Sequence, residues 1–368
     1  MDTSGRVGVG DGPAGGVCHT RAFPPGLITP PEVKLKKVWG RAEEGCARCA
    51  SCGLRGEARS RRCALLTWLC APLRAVSWSY VVMVMPVRVY LVRHGETEWN
   101  ARSTLQGQLD IPLNALGHEQ AAAAGAWLSA QAAPPLASVI SSDLSRASAT
   151  AAHIAAALRL GAPALDARLR ETHLGGWQGR SWADVEARDG AALARWRSDA
   201  DFAVPGGGES IRARFGRVAR ALHEAALRAG SSGDEGQGGV VLVSHGGVID
   251  DIGRLCGRVP FGISTGLRKH NCSVSTLEFT PGPHAAAVAA AAAAAGAGSD
   301  ADAALRALVD AALPSESLDP AGAADALGAW RVVGWGEVAH LEGLKRALAD
   351  PLADAAAWTR APREGGQG

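Results

Sequence analysis

The sequence predicts an α/β fold, a three-layer α/β/α sandwich around a mostly parallel central sheet. Residues 87–92 and 240–243 are continuous apolar runs rich in β-branched residues, broken in the first only by Arg88. Such runs mark strands buried on both faces. Each ends abruptly in a His-Gly pair, His94-Gly95 and His245-Gly246, the second running directly into a helical pattern over 248–257. A third stretch, residues 138–143, reads as a short strand, and Ala147, Ala151, Ile154 and Leu158 follow it at helical spacing. Strand followed by helix, repeated, is the pattern of parallel βαβ units.

At 368 residues the chain can hold one large domain or two small ones. Apolar residues make up 47%, but many are Ala, which buries little surface. The formal charge of +2 is too small to argue for nucleic acid or an acidic membrane as a partner. Of eight cysteines, Cys18, Cys46, Cys49, Cys52, Cys63 and Cys70 lie early and only Cys256 and Cys272 later. The α/β region is therefore no disulfide scaffold, and a reducing compartment is the simpler expectation.

Residues 1–86 differ from the rest. They are rich in Gly, Pro and Cys, carry 12 Lys/Arg against 6 Asp/Glu, and show no sustained periodicity. A disordered or targeting extension is expected, or a start at Met83 or Met85. Residues 64–85 are apolar and follow Arg59, Arg61 and Arg62, but Pro72, Arg74 and several Ser and Trp argue against a membrane span. Cys46, Cys49 and Cys52 have ligand-like spacing. No second Cys or His pair closes a zinc module, so incidental cysteines are the favoured reading, with no metal expected.

The loop Leu105 to Asn114 leads to a helix opening near Gly117. Arg146 falls in the first turn of the helix after residue 143, where the helix dipole disfavours a cation unless it faces an anion. Residues 169–179 hold Arg170, Glu171, His173 and Gln178, and residues 205–210 form a Gly-rich turn before a helix capped by Ser210. Ile211, Phe215, Val218 and Leu222 give that helix an apolar stripe, and Arg212, Arg214, Arg217 and Arg220 read as a solvated surface. The turn lacks the Lys-Ser/Thr of a nucleotide-binding loop, so it reads as structural, with Glu209 and Ser210 as further candidates for the pocket wall. A flexible loop is expected at 230–238, and strands at 273–279 and from Trp330. Between these two lies an Ala-rich stretch, about 281–329, with seven consecutive Ala from Ala289; it is expected to be poorly ordered or partly helical. A short helix and polar tail close the chain from about residue 344.

Ligands of open α/β sheets sit outside the carboxyl ends of the strands. Two His at two strand ends, each followed by Gly, are hard to explain by packing. Arg93-His94-Gly95-Glu96-Thr97-x-Trp99-Asn100, the Gln106-Gly107 loop, the Ser-Asp-Leu-x-Arg146 segment, Leu169-Arg170-Glu171 and Ser244-His245-Gly246-Gly247 together resemble the histidine phosphatase superfamily, the phosphoglycerate mutase-like proteins. In pattern the chain is nearest to plant phosphoglycerate mutase-like phosphatases. The likeness covers about 87–280 and 330–343, so one histidine phosphatase domain over 87–343, with the Ala-rich insertion, is expected.

The resemblance implies catalysis by His94, Glu171, His245, Arg93 and Arg146. It implies substrate binding by Arg93, Gly95, Asn100, Gln106, Gly107, Arg146, His245 and Gly246. Arg170 and His173 are further candidates for substrate contact, and Gln178 stands where a Glu is usual. The chemistry follows from the residue types: a phosphate dianion needs cations before a neutral imidazole can attack it. His94 is then the nucleophile and Glu171 the proton donor. No cofactor is required.

Hydrolysis of a small phosphorylated metabolite is the expected reaction. About 25 residues separate Gly179 from Pro205, whereas mutases that need 2,3-bisphosphoglycerate carry a much longer segment there. A phosphoglycerate mutase and an inactive phosphate-binding scaffold are the alternatives. Trp177, Trp182 and Trp196 serve either the pocket wall or packing. The expected location is the cytoplasm, or a plastid if residues 1–86 contain a transit peptide. A homodimer is the assembly that the likeness suggests.

Overall fold

The computed structural model describes residues 86–131, 135–231, 238–296, 298–314 and 318–344. The expected extension at 1–86, its cysteines, Met83 and Met85, and the tail beyond 344 lie outside these residues, apart from Pro86. Six strands form one sheet: β1 (Val87–Arg93), β2 (Leu136–Ser141), β3 (Ala164–Leu165), β4 (Gly239–Ser244), β5 (Val274–Pro281) and β6 (Gly328–Glu337), in the order β3-β2-β4-β1-β5-β6. The pairs β2/β3, β2/β4 and β1/β4 are parallel; β1/β5 and β5/β6 are antiparallel.

The period-2 alternation of the central strands makes the sheet two-sided. Val87, Val89 and Leu91 of β1, with Val240, Leu242, Leu277 and Phe279, pack into one core with α5 (Ile211–Ser231) and α6 (Gly246–Gly257). Tyr90 and Val92, with Val139, Val241, Val243 and Val274, form the other core with Leu128 of α2 (Ala115–Gln131) and Ala147, Ala151 and Ile154 of α3 (Ser145–Ala157). Both faces are covered, so the expected three-layer sandwich is the observed one.

Helix α1 (Glu98–Ala101) is one turn closed by a capping box between Thr97 and Asn100. Helix α2 begins at Ala115, slightly before the expected point, because the Asn114 side chain caps the Gly117 N–H at 2.8 Å. Helix α4 (Trp182–Ser198), through Val185, Leu193 and Trp196, forms a smaller core of its own with Trp177 and Val204.

One expectation is met in its second form and one is corrected. Of the two readings of the Ala-rich stretch, the described residues show the partly helical one, as α7 (Pro283–Ala295), α8 (Asp300–Ala312) and α9 (Pro320–Asp325). Ala285, Ala289 and Ala292 recur along one side of α7 and join the core around α5, and Leu305 and Val309 of α8 join it too, both essentially unexposed. Uniform Ala hid this periodicity. The α5 arginines, in turn, are not a solvated surface. Arg214 is buried against Asp251, Arg220 pairs with Asp310 at 3.2 Å, and Arg212 donates to the Leu318 carbonyl at 2.7 Å. Of the expected 230–238 loop, Gly230 and Ser231 belong to α5, and 232–237 lie outside the described residues.

Candidate active site

The parallel register of β1 and β4 sets Arg93 opposite Ser244, so the next residues, His94 and His245, leave the sheet side by side. Their ring centroids are 5.1 Å apart, and both are buried. His94 Nδ1 lies 2.7 Å from the Gly95 carbonyl. A carbonyl only accepts, so Nδ1 carries the proton and Nε2 keeps a lone pair. Burial, with the charges of Arg146 and Arg93, holds the imidazole well below its ordinary pKa. His245 is the N-cap of α6; its Nε2 is 2.9 Å from Ser142 Oγ, and its buried Nδ1 has no partner. Burial, then Arg146 and His94, keeps it neutral as well.

Arg146 emerges from the first turn of α3, as the sequence placed it. Its Nη1 and Nη2 donate to the Leu109 and Gly107 carbonyls, both at 2.8 Å, and its buried Nε has no partner. Burial lowers its pKa to about 10, so it remains a cation at neutral pH. Gly107 adopts φ +55°, a left-handed conformation that suits glycine. Gln178 accepts the Gln108 N–H at 2.8 Å and so fixes the same loop with a neutral amide. Arg93 donates to the Lys269 carbonyl.

Glu171 Oε1 accepts from the Thr172 N–H at 2.8 Å and Oε2 from the Gly247 N–H at 3.1 Å. Burial raises its pKa, but the Arg214 charge and these N–H groups outweigh that, and the net shift is downward. Around this carboxylate stand Arg214, which the sequence reading set on the surface, and Thr172 and Asp251, to which it gave no role. Arg214 forms a bidentate pair with Asp251, at 2.6 and 2.8 Å, and donates to Thr172 Oγ1 at 2.5 Å. Arg217 gathers the carbonyls of Arg168, Arg170 and Glu171 at 2.5–2.9 Å. Gly247 leaves no room for a side chain: an added Cβ would stand 2.4 Å from Glu171 Oε1.

A cavity of about 230 Å³ is lined by Arg93, His94, Asn100, Gln106, Gly107, Arg146, Glu171 and Gly246, together with Trp99, Trp182 and Trp196; of the expected site residues, Gly95 and His245 are not in its lining. Trp177 does not reach it and packs edge-on against Trp196. The Gly95 N–H donates to Thr150 Oγ1 at 3.0 Å. Arg170 pairs with Asp143, the His173 ring accepts the Gly175 N–H, and Glu209 pairs with Arg217; none of the three, nor Ser210, lines the cavity. Among the described residues no group of three or more His, Cys, Asp or Glu could hold a metal ion, and no helix is long and apolar enough to cross a membrane.

A neutral imidazole, two guanidinium groups and a carboxylate around one cavity define an enzyme that transfers phosphoryl groups through histidine. The chain belongs to branch 1 of the histidine phosphatase superfamily, whose family model matches residues 89–290. It is 46% identical over 164 residues to a glucosyl-3-phosphoglycerate phosphatase of Mycolicibacterium vanbaalenii, covering 44% of this chain and 70% of that one. It is 37% identical over 179 residues to a metal-independent phosphoserine phosphatase of Arabidopsis thaliana, covering 48% and 72%. The solved structure of a mycobacterial hydrolase superposes with a TM-score of 0.51 at 30% identity, covering 69% of this chain and all of the other.

Proposed function

We propose that the chain hydrolyses a small organic phosphate monoester through a phosphohistidine on His94. The observation that carries this is the His94 tautomer: Nδ1–H is committed to the Gly95 carbonyl, so Nε2 is the nucleophile, in a cavity walled by Arg93, Arg146 and Glu171. His94 Nε2 attacks phosphorus while the ester oxygen leaves. Arg93, the Arg146 Nε and His245 stabilise the charge spread over the equatorial oxygens, and Asn100 and Gln106 add neutral donors. Glu171 takes the proton of the bound phosphate monoanion, whose charge raises the pKa of the carboxyl, and gives it to the leaving alkoxide. It then takes one from the water that attacks the phosphohistidine, releasing phosphate and restoring His94. No metal takes part in this scheme.

The segment between Gly179 and Pro205 is short, only α4, kinked at Asp189, with brief connections, which favours water over a second sugar-acid hydroxyl as acceptor. The test is phosphorus NMR on the full chain with 3-phosphoglycerate, with and without 2,3-bisphosphoglycerate. Free phosphate is expected, and none with His94→Ala. Accumulation of 2-phosphoglycerate would identify a mutase, and phosphate binding without turnover of any ester a scaffold. The cytoplasm, or a plastid, is the proposed compartment, tested by imaging a tagged full chain. A homodimer is the proposed assembly, tested by light scattering.

A further inference from the structure

The loop between α6 and β5 forms one side of the cavity mouth, and Ser264 to His270 line it. Asp250 of α6 fixes this loop at two points, accepting from Thr265 Oγ1 and, at 2.9 Å, from Lys269 Nζ. Arg93 holds the Lys269 carbonyl, and Asn271 Nδ2 donates to the His94 carbonyl at 3.0 Å. Behind it, Gly336 packs so closely on the Arg268 carbonyl that an added Cβ would lie 3.0 Å away. The backbone of the loop is thus tied on both sides of Arg268 to the strand end that carries His94.

The other cations around the cavity have work already. Arg214 is committed to Asp251, Lys269 to Asp250, and Arg146 to the loop carbonyls. Arg268 is exposed at the mouth and makes no hydrogen bond or ion pair with any described residue. A cation on an anchored backbone, with a free side chain over the cavity, is built to meet an anion held at a set distance from the phosphate. Its planar fork matches a carboxylate in two hydrogen bonds.

We propose that Arg268 determines specificity by binding a carboxylate of the substrate, so that the preferred esters are phosphorylated hydroxy or amino acids and not neutral phosphorylated alcohols. The inference rests on the phosphatase reading above.

Two matched pairs of probes isolate the carboxylate: 3-phosphoglycerate against glycerol 3-phosphate, and phosphoserine against phosphoethanolamine. The readout is the ratio of kcat/KM within each pair, for the wild type, Arg268→Met and Arg268→Lys, with p-nitrophenyl phosphate as a general ester. The wild type is expected to favour the acid in at least one pair. Arg268→Met should shrink that preference about 5- to 50-fold, through KM more than kcat, and Arg268→Lys should restore part of it. The range reflects a charge-assisted bond discounted for solvent at the mouth. Raised salt should narrow the wild-type ratio. A ratio unmoved by Arg268→Met, or acid and alcohol esters impaired in proportion, overturns the proposal and leaves the phosphatase standing. If no ester is hydrolysed, p-nitrophenyl phosphate included, the phosphatase reading itself falls, and this inference with it.

Discussion

Substituting Gly247 with Ala tests whether Glu171 is the acid, and it does so without touching Glu171. The added methyl carbon would stand 2.4 Å from Glu171 Oε1, 2.9 Å from Thr172 Oγ1 and 3.1 Å from Arg214 Nη1. Ordinary contact begins near 3.4 Å, so the carboxylate must retreat by about 1 Å or the turn must open. A displacement of that size in a reacting group costs about 100-fold in rate. The strain on the packed turn should destabilise the fold by only about 1–3 kcal/mol. Gly246→Ala is the matched control, because its methyl would meet Arg93 and Glu171 at 3.8–3.9 Å and should cost much less. The assay is rapid-quench formation of the phosphohistidine. An alkyl ester needs a proton for its leaving oxygen, whereas p-nitrophenolate leaves without one. Gly247→Ala should therefore slow phosphorylation by the alkyl ester about 100-fold and by p-nitrophenyl phosphate far less. Equal slowing with both esters, or none with either, would refute Glu171 as the acid.

The remaining predictions reach other parts of the molecule. In the free enzyme Glu171 is held ionised and His94 neutral, so the proton that the leaving group needs arrives with the substrate monoanion. A plot of kcat/KM should then fall about tenfold per pH unit above the substrate's second pKa of about 6; a plateau up to pH 8 would refute this. His223 donates Nδ1–H to the Ala219 carbonyl and accepts from Trp330 Nε1, and burial lowers its pKa to about 4. Unfolded, it titrates near 6.5, so the unfolded chain binds the extra proton between those values. The stability this imidazole contributes is complete above about pH 6.5 and is lost as pH falls towards 4, by up to about 3 kcal/mol. Urea titrations of wild type and His223→Gln across pH 4–7 would show the slope flattened in the variant. Leu305→Ala in α8 should cost about 2–5 kcal/mol if the Ala-rich helices belong to the core, as their burial indicates, and under 0.5 kcal/mol if they do not.

The sequence placed His94, His245 and Arg146 because each sits at a break in periodicity, where an apolar run ends or a helix begins. Local pattern is informative there, and the register of β1 and β4 does the rest. It failed where a partner is remote. Arg214 binds Asp251, 37 residues away on the next helix, and no local pattern announces a pair that forms only when two helices pack. One signal was there to use. Ile211, Arg214, Phe215, Val218 and Leu222 lie on one helical face, so Arg214 interrupts the apolar stripe from within it and does not border it. A guanidinium on a buried stripe needs a carboxylate, and α6 supplies Asp250 and Asp251 just after the second His-Gly-Gly. The same helix thus orders the two halves of the site with adjacent carboxylates. Asp251 fixes Arg214 beside the proposed acid, and Asp250 anchors the loop that carries Arg268. On the roles proposed for Glu171 and Arg268, substrate choice and proton transfer would both be set from one turn of α6, directly behind the histidine that begins it.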